Sequence, residues 1–509
     1  MALRLRYSFL LRYIVMSGYS FVLGDTEVQN KHFFYRVTGY LLIFLSVAQF
    51  VTMAISFVLH DRAFWNFLLA GTVTLSVGGV LVVRSGGAVK LKKRYLFLLT
   101  TLCWLSVCVF SALPLYLSVP GLSVTDAWFE TVSAITTTGS TVLSGLDTMP
   151  KAVLLWRAIL QWIGGIGIIV MAIAILPALK IGGMKLFKTE SSDISEKILP
   201  RSSSLSGSIL MVYLAISVAA AVSYYAGGMS LFDAVTHAMT SAATGGFANY
   251  DASFGHFNDK PWLLWFSSVW MALAALPFVL FVGMVRGDKW ALLRDPQVKA
   301  FIAIVLVAAV LLSGYQMVHD ERDWFSALTH SLFNVVSVIT TCGYASEDYT
   351  LWGSMAVVLF FYLTFSGGCS GSTSGGLKIF RTQLSGYMLL KQLNLLIHPN
   401  AVRTQQYGGK KVDDSLLSAV LAFAFVYFAT IAALALVLSM YNLDFVTALT
   451  GAATAVGNVG PGLGEVIGPA GNFASLPDGA KWWLTFGMLL GRLEILTMLL
   501  LFTPMYWRY

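Results

Sequence analysis

The chain has 509 residues, of which 57% are hydrophobic and only 11% are charged, whereas a soluble domain usually carries about 25% charged residues. This composition excludes a soluble globular protein, and recurring apolar stretches of about 20 residues, the length that crosses a bilayer, predict a polytopic membrane protein. The formal net charge of +8 indicates membrane orientation rather than nucleic-acid binding, because the basic residues cluster on one predicted side. The four cysteines show neither a disulfide framework nor metal-ligand spacing.

In chain order, the first 36 residues are basic and amphipathic, lack a signal-peptide cleavage site, and are predicted to be a cytoplasmic lead-in. Two leading transmembrane helices follow within 37–83. A unit then occurs four times: a span, a short outer segment, a half-length apolar helix, a loop with one filter glycine and a second span. The predicted repeats cover 96–177, 205–285, 300–396 and 415–503. The predicted spans are 37–59, 66–83, 96–118, 152–177, 205–226, 261–285, 300–318, 351–396 (interrupted), 415–440 and 482–503.

The half-length helices are predicted to begin near Asp126, Asp233, Asp323 and Asp444, because an acidic residue at a helix N-terminus complements the helix dipole. At about 12 to 18 residues they are too short to cross the bilayer, which predicts re-entrant segments. The non-helical loops after them are tolerated at membrane depth only against protein or around a water-filled cavity. Four helices that point their C-terminal ends at one axis would direct partial negative charge at a cation.

Each loop contains one filter glycine, namely Gly139, Gly245, Gly343 or Gly460, at intervals of 106, 98 and 117 residues. Glycine supplies the dihedral angles that let a backbone carbonyl face an axis, and carbonyls converging on an axis replace the water shell of a cation. The sequence therefore predicts an all-α membrane protein whose four repeats surround one pore. The predicted filter residues are Thr137, Thr138, Gly139, Ala243, Thr244, Gly245, Thr341, Cys342, Gly343, Asn458, Val459 and Gly460.

The basic residues are concentrated in segments on one side of the spans, including the cluster Lys90, Lys92, Lys93 and Arg94. The positive-inside rule therefore places both termini in the cytoplasm. The outer segments collect acids, which would concentrate cations at the pore mouth by field focusing, although avoidance of lysine and arginine in outer loops explains the same bias. These acids include Asp147, Asp251, Asp259, Asp320, Glu321, Glu347, Asp348, Glu465 and Asp478.

The second span of the third repeat is interrupted by Gly367–Gly376, ten residues of which five are glycine and four are serine or threonine. Such a segment cannot form a stable lipid-facing helix. The apolar run 355–366 before it is short for a full crossing, which favours an intramembrane loop below the filter over an ordinary cytoplasmic loop.

Arg492 and Glu494 lie inside the last predicted span, where a charge is costly and usually faces a cavity or a partner. Two residues apart on a helix, they point to different sides, so a simple intrahelical pair is not expected. Arg157, near the outer end of its span, is interpreted as a structural residue that snorkels to the interface. His237 and His330 are expected to hydrogen-bond to neighbouring helices.

The four motifs, with the eight spans that flank them, resemble the Trk/Ktr/HKT superfamily of cation transporters, and most closely bacterial TrkH-type potassium uptake subunits. The resemblance covers 37–509. It implies two leading helices and a pseudo-fourfold pore in one chain, usually in a homodimer with one pore per protomer. In plant relatives a serine at the first filter position accompanies sodium preference, so Gly139 matches the potassium-preferring pattern. The resemblance also implies a gate, which here comprises Gly367, Gly368, Cys369, Ser370, Gly371, Ser372, Thr373, Ser374, Gly375, Gly376 and Arg492.

We therefore expect uptake of K⁺, and also of Rb⁺, across a bacterial inner membrane through a gated, channel-like pore driven by the membrane potential. The chain contains no nucleotide-binding domain, and the resemblance implies a cytoplasmic, nucleotide-binding TrkA-like ring as regulator, docking on 178–204, 286–299 and 391–412. No cofactor other than K⁺ in the pore and no nucleic-acid partner is expected. A proton- or sodium-coupled symporter, with Glu494 as a weak relay group, is the alternative. An enzyme acting on lipid-linked substrates lacks the required acid/base or metal cluster.

Overall fold

The structure is a computed structural model, and it describes residues 28–86, 95–174, 202–400, 406–408, 410–412 and 414–508. Helices dominate, and a short antiparallel hairpin pairs β1 (Gln406–Tyr407) with β2 (Lys410–Lys411). The α-helices are α1 (Val28–Val58), α2 (Phe64–Val83), α3 (Tyr95–Ser118), α4 (Val124–Ile135), α5 (Lys151–Ala174), α6 (Ser202–Ala226), α7 (Leu231–Ala242), α8 (Pro261–Ala274), α9 (Phe278–Val285), α10 (Ala291–Arg294), α11 (Pro296–His319), α12 (Trp324–Ile339), α13 (Ser354–Ser366), α14 (Ile379–Ile397), α15 (Asp414–Ser439), α16 (Phe445–Gly457), α17 (Asp478–Arg492), α18 (Ile495–Leu501) and α19 (Pro504–Arg508).

Within the described residues, six helices are long and apolar enough to cross a membrane, and two bent helix pairs bring this number to eight if each pair is one span. The six long helices also expose large apolar side chains, such as Val310 on α11 and Phe425 on α15. Side chains of this kind are stable against lipid tails and costly against water. The chain is therefore a multi-span membrane protein.

The structure corrects two of the predicted spans, 261–285 and 482–503, which are not single helices. The first breaks between α8 and α9 with a bend of 91°, and the second breaks between α17 and α18 with a bend of 113°. Pro277 explains the first break, because proline lacks a backbone N–H and clashes with the preceding helical turn. At the second break Glu494 takes a left-handed φ of +65°, which an α-helix cannot contain.

The four repeats close into a ring through contacts between neighbouring helices. The half-length helix of each later repeat packs against the helix that follows the re-entrant loop of the preceding repeat. These pairs are α7 on α5, α12 on α8 and α16 on α13. The half-length helix of the first repeat, α4, packs against α17 of the last repeat. Because the contact pattern returns to its start, the chain forms a pseudo-fourfold arrangement around one axis, as the sequence predicts.

The two leading helices lie outside this ring. Helix α1 packs along α2, where Gly39 and Gly78 allow the two backbones to approach closely, and both helices contact α3. The half-length helices are the most enclosed elements, since every residue of α4 from Phe129 to Ile135 is buried. The architecture thus places four short helices and the loops after them at the centre.

Candidate functional site

All four half-length helices begin with a polar cap, as the acidic residues in the sequence predict. Ser123 accepts a hydrogen bond from the backbone N–H of Asp126 (3.0 Å), and Ser230 does the same for Asp233 (3.1 Å). In the third and fourth helices an aspartate is itself the cap, with Asp444 accepting from the N–H of Thr447 (3.0 Å). These caps satisfy the first amide groups of each helix and complement its dipole.

The four helices also end in one shared backbone geometry. Each ends in a residue with a left-handed φ, namely Thr137 (+51°), Thr244 (+49°), Thr341 (+58°) or Asn458 (+53°). The N–H of that residue bonds to the carbonyl three residues earlier, and the next N–H bonds to the carbonyl five residues earlier, which is a Schellman motif. Threonine is rarely left-handed, so the surrounding structure must enforce this geometry three times.

Two residues after each left-handed residue stands a glycine that also has positive φ: Gly139 (+87°), Gly246 (+75°), Gly343 (+87°) and Gly460 (+117°). This geometry corrects the predicted register of the second loop by one residue. Gly246, rather than Gly245, is equivalent to the other three glycines, and Ala243 is the C-cap of α7. The tandem glycines at this point allow both registers in the sequence, and only the backbone angles distinguish them.

The equivalent glycines contact each other's loops in cyclic order. A Cβ atom added at Gly139 would overlap the carbonyl oxygen of Gly245, and one added at Gly246 would overlap that of Cys342. A Cβ atom at Gly343 would overlap the carbonyl oxygen of Val459, and one at Gly460 would lie 2.9 Å from that of Thr138. Each glycine therefore lies against the residue that precedes the glycine of the next loop, and the fourth loop returns to the first.

The same four glycines lie at one cavity of about 280 Å³, which segments predicted to lie on the outer side also line. Asp251 also lines this cavity, and its carboxylate accepts hydrogen bonds from the N–H groups of Gly145 (2.8 Å) and Leu146 (3.1 Å). The four loops predicted from sequence thus come together in space. None of the other acids predicted for the outer mouth lines this cavity.

A buried ion pair braces the first loop, and it corrects the prediction that Arg157 snorkels to the interface. Nε of Arg157 lies 2.7 Å from Oε1 of Glu130, and both side chains are at most 2% exposed. Glu130 also accepts from the N–H of Val142 (3.0 Å), while Nη1 of Arg157 donates to the carbonyl of Ala248 (3.0 Å) in the second loop. The guanidinium covers the ring of Phe247 at 4.0 Å. The pair therefore holds the first two loops together.

Other polar contacts fix the remaining loops. Gln161 donates from Nε2 to the carbonyl of Gly245 (2.5 Å) and accepts at Oε1 from the N–H of Phe247 (3.1 Å). Ser140 donates to the carbonyl of Gly460 (2.7 Å), joining the first loop to the fourth. The hydroxyl of Tyr344, in the third loop, bonds to Thr240 on α7. Sequence reasoning missed Glu130 and Gln161, although a polar residue inside a half-length helix or a span is itself a signal.

The segment Gly367–Gly376, predicted to be an intramembrane loop, contacts these re-entrant loops. The N–H of Gly375 donates to Oγ1 of Thr341 (2.6 Å), and Oγ1 of Thr244 lies 3.2 Å from that of Thr373. A Cβ atom added at Gly375 would overlap the carbonyl oxygen of Gly457, the last residue of α16. This segment thus contacts the second, third and fourth repeats, each at its re-entrant loop or at the end of its half-length helix.

Arg492 lies at the end of α17 and holds the intramembrane loop. Its Nη1 donates to the carbonyl of Thr373 (3.0 Å), and its Nη2 donates to the carbonyl of Gly164 on α5 (3.2 Å). Lys378, just after the loop, donates to the carbonyl of Ser374. Arg492 is buried and does not pair with Glu494, which binds Arg381 instead.

The two histidines have hydrogen-bond partners, although within their own repeats rather than on neighbouring helices as expected. Nδ1 of His237 lies 2.8 Å from the carbonyl of Asp233, and Nδ1 of His330 lies 2.9 Å from Oγ of Ser346. Within the described ranges, no group of three or more His, Cys, Asp or Glu side chains is arranged to hold a metal ion. The arrangement at the centre therefore offers backbone and hydroxyl oxygens.

Comparison with known proteins gives one consistent family. The family model described as "TrkH: Cation transport protein" matches residues 63–509. The chain is 56% identical over 420 residues to the Trk system potassium uptake protein TrkI of Halomonas elongata, covering 82% of this chain and 85% of that protein. It is 35% identical over 481 residues to TrkH of Escherichia coli K12, covering 93% and 98% of the two chains.

The crystal structure of the potassium transporter TrkH from Vibrio parahaemolyticus superimposes with a TM-score of 0.87 at 34% sequence identity. The match covers 94% of this chain and all of that one. The family model, the curated relatives and the solved structure agree over most of the chain. The chain therefore belongs to the TrkH family of cation transport proteins.

Proposed function

We propose that this chain is the pore-forming subunit of a potassium uptake system, in which K⁺ passes through a gated, channel-like pore. The observation that carries the proposal is the closed ring of Gly139, Gly246, Gly343 and Gly460 at one outer cavity. Relatives named potassium uptake proteins support the choice of ion.

In this proposal the re-entrant loops form the selectivity filter, in which backbone carbonyl and threonine oxygens replace water around the ion. Four half-length helices add the partial negative charge of their C-terminal ends. The ring is narrow because each glycine lies against the neighbouring loop, so the filter dimensions depend on the absence of side chains there. The proposed filter residues are Thr137, Thr138, Gly139, Thr244, Gly245, Gly246, Thr341, Cys342, Gly343, Asn458, Val459 and Gly460.

The intramembrane loop and Arg492 form the proposed gate. The loop lies across the inner side of the filter, where Gly375 and Thr373 bond to two filter threonines. The guanidinium of Arg492, bound to the carbonyl of Thr373, places positive charge beside this path and opposes the passage of cations. An open state requires that these hydrogen bonds break and the loop withdraws.

The driving force is the membrane potential, which is worth about 2.3 kcal/mol per charge per 100 mV. We place the chain in a bacterial inner membrane with both termini cytoplasmic, as a homodimer regulated by a TrkA-like ring. Of the proposed docking segments, 286–299 is described, 391–412 is described in part, and 178–204 lies almost entirely outside the described residues. The charged side chains of the described parts, such as Lys391, suit a cytoplasmic surface.

The contacts of Glu494 favour channel-like passage over coupled symport. A proton relay needs a carboxyl that exchanges protons with the ion path, whereas Arg381 binds both oxygens of Glu494 (3.0 and 2.8 Å). The contact with Arg381 therefore leaves the symport alternative without the carboxyl that it needs as a proton relay.

The test is Rb⁺ uptake into liposomes that contain the purified chain, with empty liposomes as control. The voltage is imposed by an outward K⁺ gradient through the chain itself, without valinomycin, because valinomycin also carries Rb⁺, and a proton gradient is added in half of the samples. We expect Rb⁺ flux to follow voltage and to be unaffected by the proton gradient. Proton movement in fixed stoichiometry with Rb⁺ would overturn the channel mechanism and support symport.

A further inference from the structure

We propose that Arg381 and Glu494 are positioning residues, whose ion pair keeps Arg492 and the intramembrane loop in the closed arrangement. This proposal rests on the gate described under the proposed function. Neither residue lines the cavity at the four glycines, and neither belongs to the predicted gate. Their role follows from where the pair lies.

The pair has the geometry of a strong, specific contact. Nη2 of Arg381 reaches both carboxylate oxygens of Glu494, and the two side chains are 12% and 20% exposed. The guanidinium carbon also lies 3.6 Å from the ring centroid of Phe423 on α15. A partly desolvated pair with a cation–π contact holds its geometry better than an exposed pair.

The pair joins two strained junctions of the chain. Lys378 has a left-handed φ of +68° directly before α14, and Glu494 has a φ of +65° directly before α18. Non-glycine residues keep such angles only where surrounding contacts over-determine them. Arg381 lies in the first turn of α14 and Glu494 at the second junction itself, so the ion pair links the two junctions.

These links close a ring that contains the gate. Arg492 bonds to the carbonyl of Thr373, and Lys378 bonds to the carbonyl of Ser374, the next residue of the loop. The backbone continues from Lys378 to Arg381 and from Arg492 to Glu494. The ion pair completes the ring, so that α14 cannot turn relative to α17 without either breaking the pair or pulling on the loop. Movement of α14, which extends from the loop towards the proposed docking segment 391–412, would reach the gate through this pair.

The experiment measures two quantities in the full-length chain in liposomes. One is Rb⁺ flux without any regulator, and the other is the rate at which a small thiosulfonate labels Cys369, assigned by peptide mass mapping. Cys369 is a native thiol in the loop and is fully buried in the closed arrangement. The variants are Glu494→Gln, which keeps the shape of the side chain, Arg381→Gln and the double substitution.

We expect each single variant to raise basal flux and Cys369 labelling roughly fivefold, the low end of typical coupling between sites. We expect the double variant to match the single variants, because both remove the same pair. The matched control is Asp414→Asn, which removes a 2.7 Å ion pair between Asp414 and Lys391. Lys391 lies on α14, the helix that also carries Arg381, but away from the gate. This control should leave both readouts unchanged.

The variant Arg492→Ala separates this proposal from the gate itself. If Arg492→Ala raises flux but Glu494→Gln and Arg381→Gln do not, the positioning role is overturned and the gate stands. If Arg492→Ala also leaves flux unchanged in a folded protein, both proposals fail. Additive effects of the two single variants in the double variant would show that Arg381 and Glu494 do not act as one pair. Glu494→Asp provides a second test if Glu494→Gln does not fold.

Discussion

The re-entrant loops use one backbone geometry four times, whereas the intramembrane loop occurs once and is held by contacts that no other repeat has. The loops depend on local features: a capped half-length helix, a Schellman motif and a glycine two residues later. The intramembrane loop depends on contacts with distant parts of the chain. These include the side chains of Arg492, Lys378 and two threonines of the re-entrant loops, and backbone bonds to the break between α8 and α9, where the N–H of Cys369 donates to the carbonyl of Ala275 (2.9 Å). Repetition suits a site that must keep fixed dimensions, and a single segment without such local repetition suits a part that moves.

The re-entrant loops differ among themselves in how they are braced. The first two share the buried Glu130–Arg157 pair, Gln161 adds contacts to the second, and the third is held by contacts that include the hydroxyl of Tyr344. The fourth is joined to the first through Ser140. The fourfold symmetry is therefore a property of the backbone, and the side chains behind it are specific to each repeat.

The largest expected effect comes from breaking the brace of the first two loops. Glu130→Gln leaves Arg157 buried without a charged partner, which costs about 3–5 kcal/mol when one member of such a pair is removed. We expect a matching loss of thermal stability in detergent, which is measured by size-exclusion chromatography. We also expect a loss of Rb⁺ flux.

The control for this variant is Asp288→Asn, at a pair with Arg294 that is 3.8 Å long and more than half exposed. An exposed pair contributes about 0–1 kcal/mol, so this variant should behave like the unmodified chain. Equal effects of the two variants would show that the Glu130–Arg157 pair does not brace the loops.

The second prediction tests the register of the second loop. In Gly246→Ala the new Cβ would overlap the backbone oxygen of Cys342, which cannot move without widening the ring. In Gly245→Ala it would meet the side chain of Gln161, which can shift only by giving up its hydrogen bonds to Gly245 and Phe247 and without widening the ring. We expect Gly246→Ala, like Gly139→Ser, to reduce the K⁺ over Na⁺ flux ratio by about tenfold, equivalent to about 1.4 kcal/mol.

Gly245→Ala should change this ratio much less, and it is the matched control because it lies one residue away. Flux ratios are measured in the same liposomes with K⁺ and Na⁺ gradients. A larger effect at Gly245 than at Gly246 would restore the register predicted from sequence. Unchanged ion ratios in Gly139→Ser would contradict the filter itself.

The sequence predicts the repeated part of the molecule well because its signals are local. The acidic caps, the short apolar helices and Gly139, Gly343 and Gly460 each lie within a few residues of one another. The error at Gly245 arose because tandem glycines leave two registers open until backbone angles are known. Arg157 was misread because position along a helix does not tell which way a side chain points. The break at Pro277 had a signal, since proline inside an apolar run interrupts a helix.

The third prediction concerns the threonines that contact the intramembrane loop. Thr341 accepts from the N–H of Gly375, whereas Oγ1 of Thr131, on α4 and outside the proposed filter, has no hydrogen-bond partner among the described residues. Thr341→Val keeps the shape and removes this bond, which is worth about 1 kcal/mol. We expect basal Rb⁺ flux to rise roughly fivefold in Thr341→Val and to stay unchanged in Thr131→Val. Equal increases in both variants would mean that the loop anchor is not the cause.

The smallest effect concerns Glu347, in the outer segment after the third re-entrant loop. Burial raises the pKa of this carboxyl, but hydrogen bonds from Arg322 and the charges of His330 and Arg322 outweigh burial, and the pKa lies below its ordinary 4.5. A carboxyl with a lowered pKa stabilises the folded chain above the unfolded pKa, and that contribution is lost as the pH falls through the folded pKa.

We therefore expect the unmodified chain to lose thermal stability as the pH falls from about 5 through the folded pKa of Glu347, and Glu347→Gln to lose less, by up to about 1 kcal/mol. At pH 6 the variant should be the less stable of the two, because the pair with Arg322 is absent. Glu465→Gln, at an exposed carboxyl on another outer loop, is the control. If the two variants give the same pH dependence, the Arg322 pair contributes nothing to the stability of this segment.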